Sequence, residues 1–167
     1  MHLAFDTYYF ENKAKTVCIA FKSWTDSEIQ NIYKEILEDI EEYKSGEFYK
    51  RELPCILSLL RKIPVNDIEV IVIDGFVYLD DKKRYGLGGH LYESLDKKIP
   101  IIGVAKSNFA TIEQNKRQVI RGKSLNPLYI TSIGIDIDKA SDLIKIMNGE
   151  FRMPTLLKKL DSLTKEK

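Results

Sequence analysis

Cysteine is scarce in this chain: Cys18 and Cys55 are the only two in 167 residues, and both sit among apolar neighbours. There is no CxxC and no Cys/His cluster, so a disulfide framework or a zinc site is excluded and two buried free thiols are expected. Long apolar runs are missing too. None nears the roughly 18 residues that a membrane span needs. The opening stretch MHLAFDTYYF carries an aspartate where a secretory leader is apolar, which speaks against export. Nor is there an excess of either charge: 26 Lys+Arg face 25 Asp+Glu, a net of +1. That excludes a protein that coats nucleic acid by charge alone, but not one that grips it locally. The expected compartment is reducing and cytoplasmic, with no membrane contact.

What is present reads as an ordinary globular chain, 44% hydrophobic and 31% charged. Its length suits one domain, 1–167, with no linker or internal repeat. Residues 2–9 and 14–22 are β-branched and aromatic and flank the turn ENK, which predicts a hairpin with Asp6 inside a strand. Residues 68–74 (IEVIVID) and 100–105 (PIIGVA) are nearly all apolar, as buried central strands are. Helices are expected over 52–62, with Pro54 in the first turn, over 88–97, over 138–148 capped by Asp138, and over 154–164. Residues 75–87 read as a long polar loop, and 116–122 with 127–133 as a second hairpin. Strands first, then alternating helix and strand, give an α/β fold with a mixed sheet. Residues 26–43 are ambiguous: Ile29, Ile32, Tyr33, Ile36, Leu37 and Ile40 fit a helical stripe, and a third hairpin strand competes.

Three acids stand out by position. Asp6 lies within a strand, Glu52 opens a helix, and Asp74 ends a central strand. Ionised carboxylates are costly to bury, and a divalent cation offsets their repulsion. Oxygen donors without histidine or thiolate suit Mg²⁺, with Mn²⁺ as substitute. The bland alternatives are a turn aspartate and a helix-start glutamate.

Around these acids the chain resembles the endonuclease V family, nucleases that cleave near deaminated adenine (inosine). Residues 43–54 (YKSGEFYKRELP) resemble its Tyr-x-Pro-Gly…Phe-Arg-Glu-x-Pro block, and 71–75 (IVIDG) its Val-Asp-Gly strand. Residues 86–91 (GLGGHL), 101–107 (IIGVAKS), 128–138 (LYITSIGIDID) and 152–161 (RMPTLLKKLD) follow in the family's order. The resemblance implies an RNase H-like fold, with a five-stranded or larger mixed sheet flanked by helices. It also favours strand over helix for much of 28–41. It implies a nuclease of DNA or RNA, acting as a monomer and leaving a 5′-phosphate and a 3′-hydroxyl. Asp6, Glu52 and Asp74 fall on the family's metal-binding carboxylates, with Asp161 where a late acid or histidine sits. Lys106 falls on the active-site lysine and Tyr43 on the wedge tyrosine. Gly46 and Gly75 would admit a flipped purine, Ser107 is a weaker carry-over, and His90 matches a Ser-His position that a structural histidine also explains.

The chain departs from the family after the strand. Where the family has Asp-Gly-His-Gly-x-x-His-Pro-Arg, residues 74–82 read DGFVYLDDK. Both histidines are gone, and Asp80 stands near the place of the second, where a free acid would repel phosphate. Phe76 and Val77 would reshape the base pocket. Lys82, Lys83 and Arg84 are a solvated run or a phosphate contact. A relative that binds nucleic acid or protein without cutting is the competing reading.

Overall fold

The computed structural model describes residues 1–40, 48–64, 66–109 and 111–167, and of Phe48 the backbone alone. Tyr43 and Gly46, expected at the substrate, lie outside the described residues. Among the described residues seven strands form one mixed sheet: β1 (His2–Phe10), β2 (Lys13–Phe21), β3 (Asn31–Leu37), β4 (Val70–Asp74), β5 (Ile101–Ala105), β6 (Arg117–Val119) and β7 (Leu128–Ile133). Their spatial order is β3-β2-β1-β4-β5-β7-β6. β1 runs parallel to β4, and β4 to β5, while the remaining pairs are antiparallel. Among the described residues four helices flank it: α1 (Phe48–Arg61), α2 (Leu87–Ser94), α3 (Ile137–Ile146) and α4 (Thr155–Lys165). This is the RNase H-like arrangement. No described helix is long and apolar enough to cross a membrane.

Strand alternation splits the core into two layers. Ala4, Val72, Ile102 and Val104 point to the α3 and α4 side, where Ala140, Ile144, Leu156, Leu157 and Leu160 cover them. Leu3, Phe5, Ile71, Ile73 and Ile101 point the other way, under Ile56 and Leu59 of α1 and Leu87 and Leu91 of α2. Each buried Val, Leu, Ile or Phe among them contributes roughly 1.5–3 kcal/mol. The continuous apolar runs of β4 and β5 are explained by this double cover. Cys18 and Cys55 are buried free thiols.

The ambiguous segment is a strand. Asn31–Leu37 pairs antiparallel with Ala14–Ala20 of β2. The open edge of β2 offers hydrogen bonds over seven residues, which outweighs the helical spacing of the isoleucines. As an edge strand β3 leaves Ile32 and Ile36 about half exposed, at 45% and 53%. Its Glu35 meets Lys62, the residue just after α1.

Three local expectations need correction. α1 begins four residues before the expected 52, so Pro54 lies in the helix interior, on the solvent side, and Glu52 in the second turn. Asp136, not Asp138, caps α3: its Oδ2 accepts from the backbone N–H of Asp138 and of Lys139, both at 3.1 Å. Asp136 has the extended backbone a cap needs, φ −58° and ψ 135°, and Asp138 instead takes Arg117 Nε at 2.8 Å. Finally, residues 75–86 are not simply a polar loop. Val77 is fully buried, and Tyr78 and Tyr85 close a bridge.

Candidate metal centre and nucleic-acid site

The parallel register sets the site. His2–Phe5 pair with Val70–Ile73, which carries Asp6 level with Asp74 at the next step. Asp74 pairs with Val104, two residues before Lys106. With a period of two, Asp6, Asp74 and Lys106 extend the face of Ala4, Val72 and Val104. α4 crosses that face and adds Asp161. The result is a small cleft, about 30 Å³, lined among others by Asp6, Asp74, Lys106, Met153 and Asp161.

The acids repel one another. Burial, then the neighbouring Asp74 charge, pushes the Asp6 carboxyl up to about 7. Thr7 N–H, donating to Asp6 Oδ1 at 2.9 Å, opposes this only in part. Burial also raises Asp74, with Asp161 adding to the rise and the Lys106 cation working against it. Lys106 Nζ stands 4.0 Å from Asp161 Oδ1, and Lys165 Nζ lies 3.1 Å from the same oxygen.

Glu52 comes from the other layer. It is 4% exposed, and burial together with Asp74 and Asp6 holds its carboxyl well above the usual carboxylate range. Its Oε2 has no hydrogen-bond partner among the described residues. A buried carboxylate oxygen with nothing to accept from is expensive, and it faces a group of like charge. Among the described residues no three acid, imidazole or thiol side chains stand at ligand spacing. Glu52 approaches from the α1 side, while Asp6, Asp74 and Asp161 share the α4 side. The donor set nevertheless fits a hard divalent cation: all oxygen, mutually repelling, with one orphaned atom.

Gly75 follows at the cleft mouth. Its φ of +132° is one that residues with a Cβ rarely adopt, and the space where a Cβ would stand is open. Ser107 is exposed beside Lys106. His90 is not brought to the cleft. It stacks on Tyr49 at 3.7 Å and meets Tyr85 edge-on at 5.7 Å, so it packs α1 against α2. Asp80 does not confront a phosphate as a free charge. Its Oδ1 accepts from Lys82 N–H and Arg84 N–H at 3.0 and 3.1 Å, and Arg84 Nε lies 3.4 Å from Oδ2. Arg84 is therefore turned back on its own loop.

Two supporting groups carried no expectation from the sequence. Asp81 Oδ1 accepts from the N–H groups of Glu113, Gln114 and Asn115 at 2.9–3.2 Å, which clasps the loop after β4 to the loop after β5. Arg152 donates Nη2 to the carbonyls of Lys106 and Pro127. Asp81 is one acid in an acidic turn, and only the fold reveals the N–H groups it meets. Arg152 was visible as the head of the RMP block, without a role.

The endonuclease V family model matches residues 3–161. No curated protein sequence matches the chain. Among solved structures it is similar to an endonuclease V from Streptomyces avermitilis (20% identity, TM-score 0.74, 97% of this chain and 78% of that one). It is similar to human ENDOV (20% identity, TM-score 0.74, 98% and 82%). It is also similar to Ciona intestinalis endonuclease V in complex with a 23mer DNA containing an inosine followed by a ribo-adenosine (16% identity, TM-score 0.79, 98% and 83%).

Proposed function

The chain belongs to the endonuclease V family, and from that membership we propose that it is a metal-dependent endonuclease that hydrolyses a phosphodiester bond of DNA or RNA near a deaminated base. The observation that carries this reading is the convergence of Asp6, Asp74, Asp161 and Lys106 on one cleft at the strand ends. Asp6, Glu52, Asp74 and Asp161 would hold Mg²⁺ or Mn²⁺. Bound there, the ion supplies Lewis-acid polarisation of the phosphate and acidification of the attacking water. Water attack at phosphorus breaks the P–O3′ bond, leaving a 3′-hydroxyl and a 5′-phosphate.

The side chains divide the remaining work. Lys106 supports the negative charge that builds on the phosphate, a role worth two to three decades in comparable sites. Asp161 keeps that ammonium turned toward the cleft. The open, positive-φ Gly75 lets an extruded base approach the backbone next to Asp74. Phe76, tilted against Phe109 at 5.6 Å, presents an aromatic wall beside that opening. The ligand of similar chemistry named for the Ciona structure, inosine-containing DNA, is the first substrate to test.

The experiment is cleavage of end-labelled oligonucleotides with a single inosine, against adenosine controls, with Mg²⁺ or Mn²⁺. Cutting near inosine is expected, with a 5′-phosphate on the downstream product. Asp74→Asn and Asp6→Asn should each abolish it. A wild-type protein that binds these oligonucleotides and leaves them intact at high concentration would instead support a binding relative without activity.

A further inference from the structure

Phe151 is 78% exposed, in the turn between α3 and α4. A single exposed ring is ordinary, but the backbone beneath this one is pinned. Arg121 is 4% exposed. Its Nη1 donates to the Phe151 carbonyl at 2.6 Å and to that of Arg152 at 3.3 Å. Its Nη2 donates to the carbonyls of Met147 at 2.5 Å and Gly149 at 3.3 Å. Arg152, next in the chain, is bonded in turn to the carbonyl of Lys106. The ring is thus mounted on a fixed turn that is tied to the strand end bearing Lys106. A pre-positioned aromatic loses little freedom when it binds.

Beside the ring lies a cavity of about 460 Å³, lined by Phe151, Arg152, Met153, Thr155, Lys158 and Lys159. Its lining holds three cations and no acid. Lys159 is engaged elsewhere, donating to the Ser27 carbonyl at 2.8 Å and lying 3.8 Å from Glu28. Lys158 is exposed. It precedes Asp161 by three residues on α4, which makes the two side chains neighbours on the helix surface. Met153 lines both this cavity and the carboxylate cleft. An aromatic face beside a cation, separated from the acids by one side chain, fits a polyanion with flat bases.

We propose that Phe151 and Lys158 form a subsite for the nucleic-acid strand next to the carboxylate cleft, Phe151 stacking on an unpaired base and Lys158 pairing with a phosphate. This rests on the reading of the cleft as a nuclease centre. Lys158 and the ring would hold the strand on the α4 side of the scissile bond. Stacking on one ring is sequence-tolerant, since every base has a flat face.

The test is fluorescence-anisotropy titration of the full chain with a labelled single-stranded DNA of about 12 nucleotides, in EDTA, so that binding is read without cleavage. Phe151→Ala should raise Kd by on the order of 5- to 100-fold, and Phe151→Trp should restore it. Lys158→Ala should lower the slope of log Kd against log salt by about 1. Leu125→Ala, 93% exposed and outside the cavity, should bind as wild type. Melting curves confirm that each variant is folded. Wild-type Kd and salt slope in both Phe151→Ala and Lys158→Ala would overturn the subsite, and cleavage by those variants as by wild type would leave the nuclease reading standing. Binding weakened as expected in a protein that never cleaves would uphold the subsite and sink the nuclease reading.

Discussion

The ammonium of Lys106 stands 4.0 Å from Asp161 Oδ1, which joins the end of β5 to the middle of α4 across the mouth of the cleft. The lysine is 43% exposed, so its pairing adds little to stability. Its worth lies in placing a fixed positive charge where a phosphate must sit. Lys106→Gln is therefore expected to lower kcat by on the order of 10²–10³-fold and to leave the melting temperature nearly unchanged. Steady-state kinetics beside a thermal melt checks both halves.

Ligand linkage gives a second outcome. At 100 times Kd a metal that binds only the folded state adds about 2.7 kcal/mol, or roughly 5–10 °C for a chain of this size. Asp74→Asn should lose that gain. It should also melt no lower than wild type in EDTA, because it removes a charge that Asp6 and Glu52 repel. Differential scanning fluorimetry with Mg²⁺, Mn²⁺ and EDTA reads all of this.

Much of the architecture was legible in the sequence. The apolar runs of β4 and β5 declared buried strands, and Asp74 stood at the end of one of them. The segment around Ile32 and Ile36 was not legible from periodicity, since its spacing fits a helix and only the free edge of β2 makes it a strand. The resemblance to the family carried that element. The layer split was also hidden: nothing in the spacing of Asp6, Glu52 and Asp74 says that Glu52 approaches from the α1 side. Asp80 read as an acid that would repel phosphate and Arg84 as part of a solvated run or a phosphate contact, and the two prove to be one self-contained turn.

Gly103 has no room for a side chain. A Cβ there would stand 2.5 Å from the Gly75 carbonyl oxygen and 2.6 Å from Thr131 Oγ1, the acceptor of Val77 N–H. Gly103→Ala is expected to cost roughly 1–3 kcal/mol through overpacking. It should also lower cleavage, because relief displaces the backbone next to Asp74. Chemical denaturation and an activity assay on the folded fraction separate the two effects.

His2 sets an acid limb. It is 6% exposed against Phe21 and Trp24, and burial lowers its pKa below the usual 6.5. Glu69, 3.6 Å from Nε2, opposes the fall, as does Asp26, and the chain amino group adds to it. The folded state binds its proton more weakly than the unfolded chain. Its contribution is therefore complete above about 6.5 and lost as the pH falls through the depressed value. Melting temperature between pH 7.5 and 5 should fall more steeply for wild type than for His2→Leu. Parallel curves would contradict this.

The most direct measurement of the central claim is anomalous diffraction from crystals soaked in Mn²⁺. The account predicts one strong peak in the cleft between Asp6, Asp74 and Asp161, with Glu52 turned toward it. Saturating Mn²⁺ with no peak there, or one only at surface acids elsewhere, would contradict it.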